Sequence, residues 1–250
     1  MLARLGRVDV NLLAPIRHRR AEAQADLALV RSREALVAAR VKLVNVARGI
    51  VKAIGGRLPK TTTAAFAGKT ADSVPPELKH ALGPLLKSIQ SLTEQIARYD
   101  TSIEKLAHKK YPETKLLQQV NGVGPLISLT YVLTLDDPHR FENSRAVGCY
   151  LGLSPRQRES GNSSPQLGIT KAGNGHLRWL LIQAAQYTLG PFGPDSRLRR
   201  WGLELASRGG KRVKKRAVVA VARKLAVLLH RLWVTAEVYE PLHVVEDQAA

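Results

Sequence analysis

An unbroken heptad of apolar residues in the segment 78–106 constrains the fold more than any other feature of the chain. Its members recur at alternating intervals of four and three residues: Leu78, Leu82, Leu85, Ile89, Leu92, Ile96, Tyr99, Ile103 and Leu106. This spacing keeps one stripe of a helix apolar over its whole length, and it predicts a coiled-coil seam. A helix of about 30 residues is on the order of 45 Å long, so it needs an equally long partner.

A second long helical pattern, in residues 23–54, supplies that partner. The apolar residues that return on its predicted face are valines: Val30, Val37, Val41, Val44 and Val51. Gly55-Gly56 ends the pattern, and a polar loop from Thr61 to Asp72 is expected before the heptad helix begins. The simplest arrangement is an antiparallel hairpin of the two helices, and a homodimer contact through the same seam is the alternative.

Pro112 breaks the heptad helix and opens a more globular region. Residues 116–135 contain Leu117-x-x-Val120-x-Gly122-Val123-Gly124, which is typical of a helix-hairpin-helix motif. Glycines permit the tight turn, and the amides of Gly122, Val123 and Gly124 at the start of the second helix would face a DNA phosphate. The alternative is a tight helix–helix turn without a ligand. The predicted fold class is mainly α: a long antiparallel coiled-coil hairpin, then a compact helical domain.

The charge balance points to a polyanionic partner. The chain has 39 Lys and Arg against 20 Asp and Glu, a net charge of +19, and DNA is the partner we expect. No stretch approaches the roughly 20 apolar residues of a membrane span, so no membrane partner is expected. Histidines and acids show no metal-ligand spacing, so no metal site is expected. Cys149 lies in an apolar run and is predicted to be a core thiol in a cytoplasmic, nucleoid-associated protein.

A dense basic cluster surrounds Gly209-Gly210. Its members are Arg208, Lys211, Arg212, Lys214, Lys215 and Arg216. A run of charge is usually a solvated face, but cations this dense at a glycine turn favour contact with a nucleic-acid backbone. The helix that follows, residues 212–236, has an apolar face and is predicted to be core. Trp179, Trp201 and Trp233 are predicted to pack rather than to stack on bases, because aromatic residues are sparse.

Residues 152–178 hold the strongest candidate for chemistry. Ser160 precedes a glycine, and Arg156, Arg158 and Lys171 lie on either side of it. A hydroxyl there could attack a phosphodiester while the cations neutralise charge that builds on the phosphorus oxygens. The alternative is ordinary loop chemistry, in which serine and glycine simply favour a turn.

The surroundings of Ser160 suggest how it is held. Two runs, 154–159 and 166–170, flank Gly161-Asn162. They are compatible with one short β-hairpin in the otherwise α-helical fold. Asn174 is expected to cap a helix that runs to Leu189. Arg178 falls in its first turn, where it would be directed back toward the serine.

The block GLSPxxxxSG…LGITKxGNxxLRxLLxxAA resembles the C-terminal serine domain of bacterial insertion-sequence transposases of the insertion-sequence-110 family, relatives of the Piv-type DNA invertases. The likeness covers most of residues 115–235. The first residues are similar to the same family's linker. The resemblance implies DNA strand exchange in which Ser160 attacks phosphodiesters. Together with the charge arguments above, this gives the predicted DNA contacts: Arg156, Arg158, Lys171, Asn174, Arg178, Lys211, Arg212, Lys214 and Lys215.

The resemblance also implies a domain organisation. Family members begin with an RNase H-like domain whose four acids (the DEDD set) bind divalent metal such as Mg²⁺. That domain would end near Leu2-Ala3-Arg4-Leu5, so residues 1–20 are expected to be its remnant and no cofactor is expected in this chain. Residues 21–110 would form the linker and dimerisation helices, 111–240 the serine transposase domain, and 241–250 a tail. A structured guide RNA and a homo-oligomer, dimeric or higher, are implied as partners.

Three functions from different classes fit these features. The first is a transposase that uses Ser160 and depends on the DEDD domain, without which the chain alone would be inactive. The second is a catalytically inactive transposase remnant that only binds DNA or RNA. The third is an architectural protein of the nucleoid, against which the match to the serine domain argues.

Overall fold

Helices dominate the part of the chain that the structure, a computed structural model, describes: residues 2–9, 18–160 and 167–242. These ranges contain no strand, and the predicted mainly α class is confirmed. The helices are α1 (Leu2–Val8), α2 (Ala21–Ala53), α3 (Phe66–Thr70), α4 (Lys79–Lys110), α5 (Thr114–Gln118), α6 (Pro125–Leu135), α7 (Ser144–Tyr150), α8 (Gly175–Leu189), α9 (Arg197–Ser207) and α10 (Lys211–Thr235). None of the helices in these ranges is long and apolar enough to cross a bilayer.

The two longest helices, α2 and α4, lie side by side and antiparallel. Their direction follows from polar pairs that ascend one helix while descending the other. These pairs are Asp26 with Lys110, Arg33 with Asp100, and Arg40 with Thr93. The members on α2 are seven residues apart, so each occupies the same position of a heptad. Apart from Arg40, the buried residues of the seam are apolar.

The heptad of α4 divides into two sets of unequal burial. Every seventh residue is buried: Leu82, Ile89, Ile96 and Ile103. The intervening members are only half-buried: Leu78, Leu85, Leu92, Tyr99 and Leu106. A single partner helix covers one set completely and leaves the other at the edge of the contact. Within one chain, α2 therefore covers one of the two sets, and a homodimer contact through the seam stays untested.

On α2 the predicted valine face is only partly right. Val30, Val44 and Val51 are buried, but Val41 is 37% exposed. The contact instead uses Arg40 and Ala47, one residue before and six after Val41. A prediction based on valines alone missed this register, because one buried member of the seam is the arginine Arg40.

The segment between the two long helices is not the polar loop expected for Thr61 to Asp72. It forms α3, whose Phe66 and Thr70 are buried. Phe66 packs with Val44, Val51 and Leu82, and it closes the hairpin with a small apolar core of its own. One aromatic residue in a polar stretch was enough to fold it inward.

A second and larger core lies under α5–α10. Helix α10 packs against α7, α8 and α9, and its apolar face is buried as predicted. Deep in this core the hydroxyl of Tyr131 donates a hydrogen bond to the carbonyl of Ala226 at 2.6 Å. The near end of the hairpin belongs to the same core through Leu27 and Ile103. One core therefore spans the predicted domain boundary at residue 110.

Two individual side chains differ from their predicted positions. Cys149 is exposed, with its Sγ 3.1 Å from Ser154 Oγ, and is not a core thiol. Helix α7 is only two turns long, and Val147 already occupies its buried side. Trp179 is 52% exposed, whereas Trp201 and Trp233 pack against the core as expected.

His230 ties α10 to the connection before α7. Its Nε2–H donates to the carbonyl of Pro138 and its Nδ1 accepts from the Ser144 hydroxyl, both at 2.9 Å. These roles require the neutral imidazole. Burial lowers the pKa of His230, and nearby His139 lowers it further, against the Pro138 carbonyl, which raises it.

The seam predicts unequal effects of charge at two neighbouring positions. Ile89→Lys should destabilise the fold by about 3 kcal/mol or more, because it buries an unpaired ammonium group. Leu92→Lys should cost about 1 kcal/mol or less, because the half-buried side chain can reach water. Urea unfolding of both variants measures the difference. Equal losses at the two positions would show that α4 does not present this face to α2.

The neutral His230 predicts a loss of stability in mild acid. Its pKa is lower in the folded protein than in the unfolded chain, so the unfolded chain binds more protons once the pH falls below about 6.5. Stability should decline from there as the pH falls through the depressed pKa. His230→Gln should be less stable at neutral pH but show a shallower decline. His108→Gln, at an exposed site on α4, should keep the wild-type profile in thermal melts; a wild-type profile in His230→Gln would refute the assignment.

Candidate serine arm and nucleic-acid surface

The segment 153–170 between α7 and α8 is here called the serine arm, and the structure describes its two sides, residues 153–160 and 167–170. Its two sides meet in an antiparallel bridge between Pro155 and Ile169. The amide of Arg156 donates to the carbonyl of Gly168 at 3.0 Å, and that of Thr170 donates to the carbonyl of Ser154 at 2.9 Å. The predicted turn at Gly161-Asn162 lies outside the described residues. The predicted β-hairpin is therefore not established beyond its base.

Ser160 lies on the outgoing side of the arm and is exposed. Arg156 and Arg158, on the same side, are exposed as well, and so is Lys171 just beyond the arm. The candidate nucleophile and these three candidate cations all face solvent. The role of each stays a prediction.

Arg178 fastens the two ends of the arm together. Its Nη1 donates to the carbonyl of Leu151 at 3.0 Å and to that of Ala172 at 2.7 Å. The first carbonyl precedes the arm and the second follows it. Arg178 is thus directed back toward the arm, as expected, but these bonds occupy one end of its guanidinium. Its predicted contact with DNA remains untested.

Two glycines give the arm a base that other residues would not fit. Gly152 and Gly173 have φ angles of +67° and +69°, in the left-handed region. A Cβ on Gly173 would lie 2.1 Å from the carbonyl oxygen of Tyr150, and one on Gly152 would lie 2.3 Å from the amide of Ala172. Lys171 also has a positive φ, +59°. The two ends of the arm are therefore in direct backbone contact.

Asn174 caps α8, as predicted. Its Oδ1 accepts from the amide of Leu177 at 3.0 Å, and its Nδ2 donates to Thr134 Oγ1 at 3.4 Å. Both ends of the side-chain amide are used within the protein. A contact between Asn174 and DNA, which the sequence also suggested, stays a prediction.

The turn between α5 and α6 contains the proposed phosphate-binding glycines. Gly122 has a φ of +89°, and a Cβ there would lie 2.8 Å from the ring of Tyr187 on α8. Val123 is buried, so its side chain belongs to the core. Gly124 is exposed, and no side chain caps the helix that it begins. Of the three residues, Gly124 lies at the open helix end, and binding of a phosphate there stays a prediction.

The basic cluster around Gly209-Gly210 lies at the start of α10. Both glycines have φ angles near +90° and open space around them. Arg212, Lys214 and Lys215 are exposed in the first turns, and Lys211 is the first residue of the helix. The first turn contains no acid. Cations at this end oppose the helix dipole, so an anion bound there would relieve an unfavourable interaction.

Sequence reasoning missed a groove between α2 and the start of α8, here called the α2–α8 groove. It consists of two adjoining cavities of about 780 and 600 Å³, and Glu34 and His176 line both. Nδ1 of His176 lies 2.9 Å from Glu34 Oε1. Burial lowers the pKa of His176, against the Glu34 carboxylate, which raises it. Val41, the exposed member of the predicted valine face of α2, lines the larger cavity. An apolar residue of α2 outside the contact with α4 was the available sign of this groove.

Acids and histidines form no metal site within the ranges described: no three or more of His, Cys, Asp and Glu come together there.

Comparisons with known proteins agree with the serine-arm motifs. The sequence model of the family described as "Transposase IS116/IS110/IS902 family" matches residues 114–199, which include the whole arm. The transposase for insertion sequence element IS1111A of Coxiella burnetii is 30% identical over 87% of this chain and 61% of its own length. A probable family 20 transposase of Pseudomonas aeruginosa is 30% identical over 88% of this chain and 67% of its own length.

A more distant relative is the pilin gene-inverting protein of Moraxella bovis, 26% identical over 56% of this chain and 42% of its own. The chain therefore spans about three fifths of the IS1111A transposase and two thirds of the Pseudomonas relative. The likeness to both extends well beyond the serine arm into the helical hairpin. On this evidence the chain belongs to the IS116/IS110/IS902 family of transposases.

Proposed function

We propose that this chain binds DNA and supplies the serine that attacks DNA phosphodiesters during transposition of an insertion sequence. The observation that carries the proposal is the serine arm itself. Its base is fixed by Arg178 and by the close backbone contact at Gly173, and it presents Ser160 to solvent. A nucleophile for a macromolecular substrate has to be both exposed and held at a defined place.

The arrangement of the arm suits phosphoryl chemistry. In an extended segment alternate side chains point to the same face, so Arg156, Arg158 and Ser160 share one face. The Ser160 oxygen would form a bond to phosphorus while the bond from phosphorus to one deoxyribose oxygen breaks. The hydroxyl proton leaves and the departing deoxyribose oxygen gains one. Arginines beside the phosphate would stabilise the negative charge of the transition state.

Activation of the serine requires help from outside the arm. A serine hydroxyl is a weak nucleophile unless a base or a metal activates it. Glu159 is the adjacent carboxylate, but an extended backbone directs it to the opposite face from Ser160. We therefore propose that the reaction depends on the metal-binding DEDD domain that the family resemblance implies, with Mg²⁺ held there. A structured RNA guide for target choice belongs to the same proposal.

The start of α10 is the proposed contact with the DNA backbone. Arg212, Lys214 and Lys215 are exposed at a glycine-opened helix end, and the open end of α6 at Gly124 is a second candidate. Contacts of this kind position DNA without reading its sequence. They agree with a net charge of +19.

A catalytically inactive remnant that only binds DNA or RNA is the second candidate function. It is favoured by the internal roles of two residues expected to contact DNA. Asn174 caps α8, and Arg178 bonds to backbone carbonyls. Fewer groups remain near Ser160 to hold a substrate, and the experiment on Ser160 below separates the two functions.

Backbone binding by the start of α10 predicts a change in salt dependence. Lys214→Gln combined with Lys215→Gln should lower the slope of log affinity against log salt by about 1.8, since each phosphate contact contributes about 0.9. The same double change at Lys60 and Lys69, exposed cations near α3, is the matched control and should leave the slope unchanged. Anisotropy titrations of a labelled duplex over a salt series measure both. Equal slopes for all three proteins would exclude α10 from the interface.

The role of Ser160 predicts a covalent protein–DNA adduct. With the DEDD domain supplied in trans or by fusion, and with element-end DNA and any guide RNA, the adduct should appear on a denaturing gel. It should disappear in Ser160→Ala, because the attacking oxygen is lost, and persist in the control Ser163→Ala. An adduct that survives Ser160→Ala would remove Ser160 as the nucleophile.

The dependence on the DEDD domain is checked in the same assay. The chain alone should form no adduct, because nothing activates the hydroxyl. An adduct formed without the added domain would overturn that dependence. The inactive-remnant function is favoured if neither arrangement gives an adduct while DNA binding is retained.

A further inference from the structure

The α2–α8 groove holds a large aromatic surface that the fold leaves uncovered. Trp179, on the first turns of α8, is 52% exposed and lines the larger cavity. Its indole lies stacked beside the imidazole of His176, with ring centroids 6.1 Å apart and planes 19° from parallel. The stack fixes the orientation of the indole. An exposed aromatic platform with a fixed orientation is suited to a flat ligand.

The wall opposite Trp179 is apolar along its middle and cationic along its rim. Val41 and Val46 of α2 are exposed within the groove. Arg31 and Lys42, also on α2, are exposed and line the smaller and the larger cavity respectively. Glu34 is the acid that both cavities share, and it already pairs with His176. The groove therefore combines an apolar floor with a positive rim.

We propose that the α2–α8 groove binds an unpaired nucleic-acid strand, with a base stacked on Trp179 and the flanking phosphates on Arg31 and Lys42. Aromatic platforms in positively charged grooves bind single strands in this way, because every unpaired base offers a free face. In a duplex those faces are covered by neighbouring bases. The net charge of +19 selects a polyanion as occupant over a neutral helix. The proposal does not depend on the chemistry of Ser160.

The test compares single strands with a duplex. Labelled oligo-dT and oligo-U of about 15 nucleotides, and a duplex of the same length, are titrated with the whole chain by fluorescence anisotropy. Trp179→Ala should weaken binding of both single strands about 5- to 150-fold, the loss expected for one stacked base. Trp179→Phe should recover most of it. Duplex affinity should change by less than about twofold. A difference in affinity between oligo-dT and oligo-U shows whether the groove prefers a DNA or an RNA strand.

Phe192→Ala provides the matched control. Phe192 is 82% exposed and lies beyond the other end of α8, outside the groove, so its removal should leave single-strand affinity unchanged. Ser160→Ala should also bind single strands normally, which separates this proposal from the strand-transfer function. Thermal melts of each variant establish that it folds.

Three results would overturn the proposal. The first is an unchanged single-strand affinity in Trp179→Ala. The second is an equal loss for single strand and duplex, which would mean that no unpaired base is recognised. The third is a fall in oligomeric mass in Trp179→Ala with normal single-strand binding, which would assign the groove to a contact between copies of the chain.

Discussion

The antiparallel register of α2 against α4 determines where the other parts of this molecule lie. Apolar seams tolerate slippage by one heptad, because the same kinds of residue meet again. Here the seam contains Arg40, which is buried and bonded to Thr93, and Arg33, which is paired with Asp100. A slip of seven residues in one direction would separate both pairs and leave Arg40 without an oxygen partner, at a cost of several kcal/mol. A slip in the other direction would bring Arg40 opposite Asp100 but would leave Arg33 without its carboxylate. The polar pairs thus disfavour both shifted registers, while the apolar seam residues supply stability.

The shared core connects the register of α2 and α4 to the position of the serine arm. Leu27 and Ile103, at the near end of the hairpin, pack with residues of α6, α8 and α10. Helix α8 in turn begins at Gly175, after its cap Asn174 and shortly beyond the arm. The contact of His176 Nδ1 with the Glu34 carboxylate adds a second link between α2 and the first turn of α8. The direction of the hairpin and the position of the arm are therefore set together.

Features that depend on a single helix could be predicted from the sequence, whereas features that depend on a partner could not. The heptad spacing identified Ile89 and Ile96 as buried, and the Asn174 cap followed from local hydrogen bonding. The exposure of Trp179 and the valine register of α2 depend on which neighbour covers which face. Arg178 shows the same limit at the candidate site: its charge suggested a phosphate, yet the backbone carbonyls of Leu151 and Ala172 accept its hydrogen bonds. Hydrophobic periodicity identifies the apolar face of a helix but not the element that covers this face.

The groove and the serine arm meet at the start of α8. Gly173 and Asn174, at the base of the arm, line the smaller cavity, while Trp179 lines the larger one five residues later. A strand lying along the groove would therefore reach the base of the arm at one end. The rigid contact of Gly173 with Tyr150 holds that meeting point in place. The proposed site for an unpaired strand lies next to the proposed nucleophile Ser160. Such an arrangement needs a fixed distance more than a tight pocket, since positioning of the phosphate decides the rate.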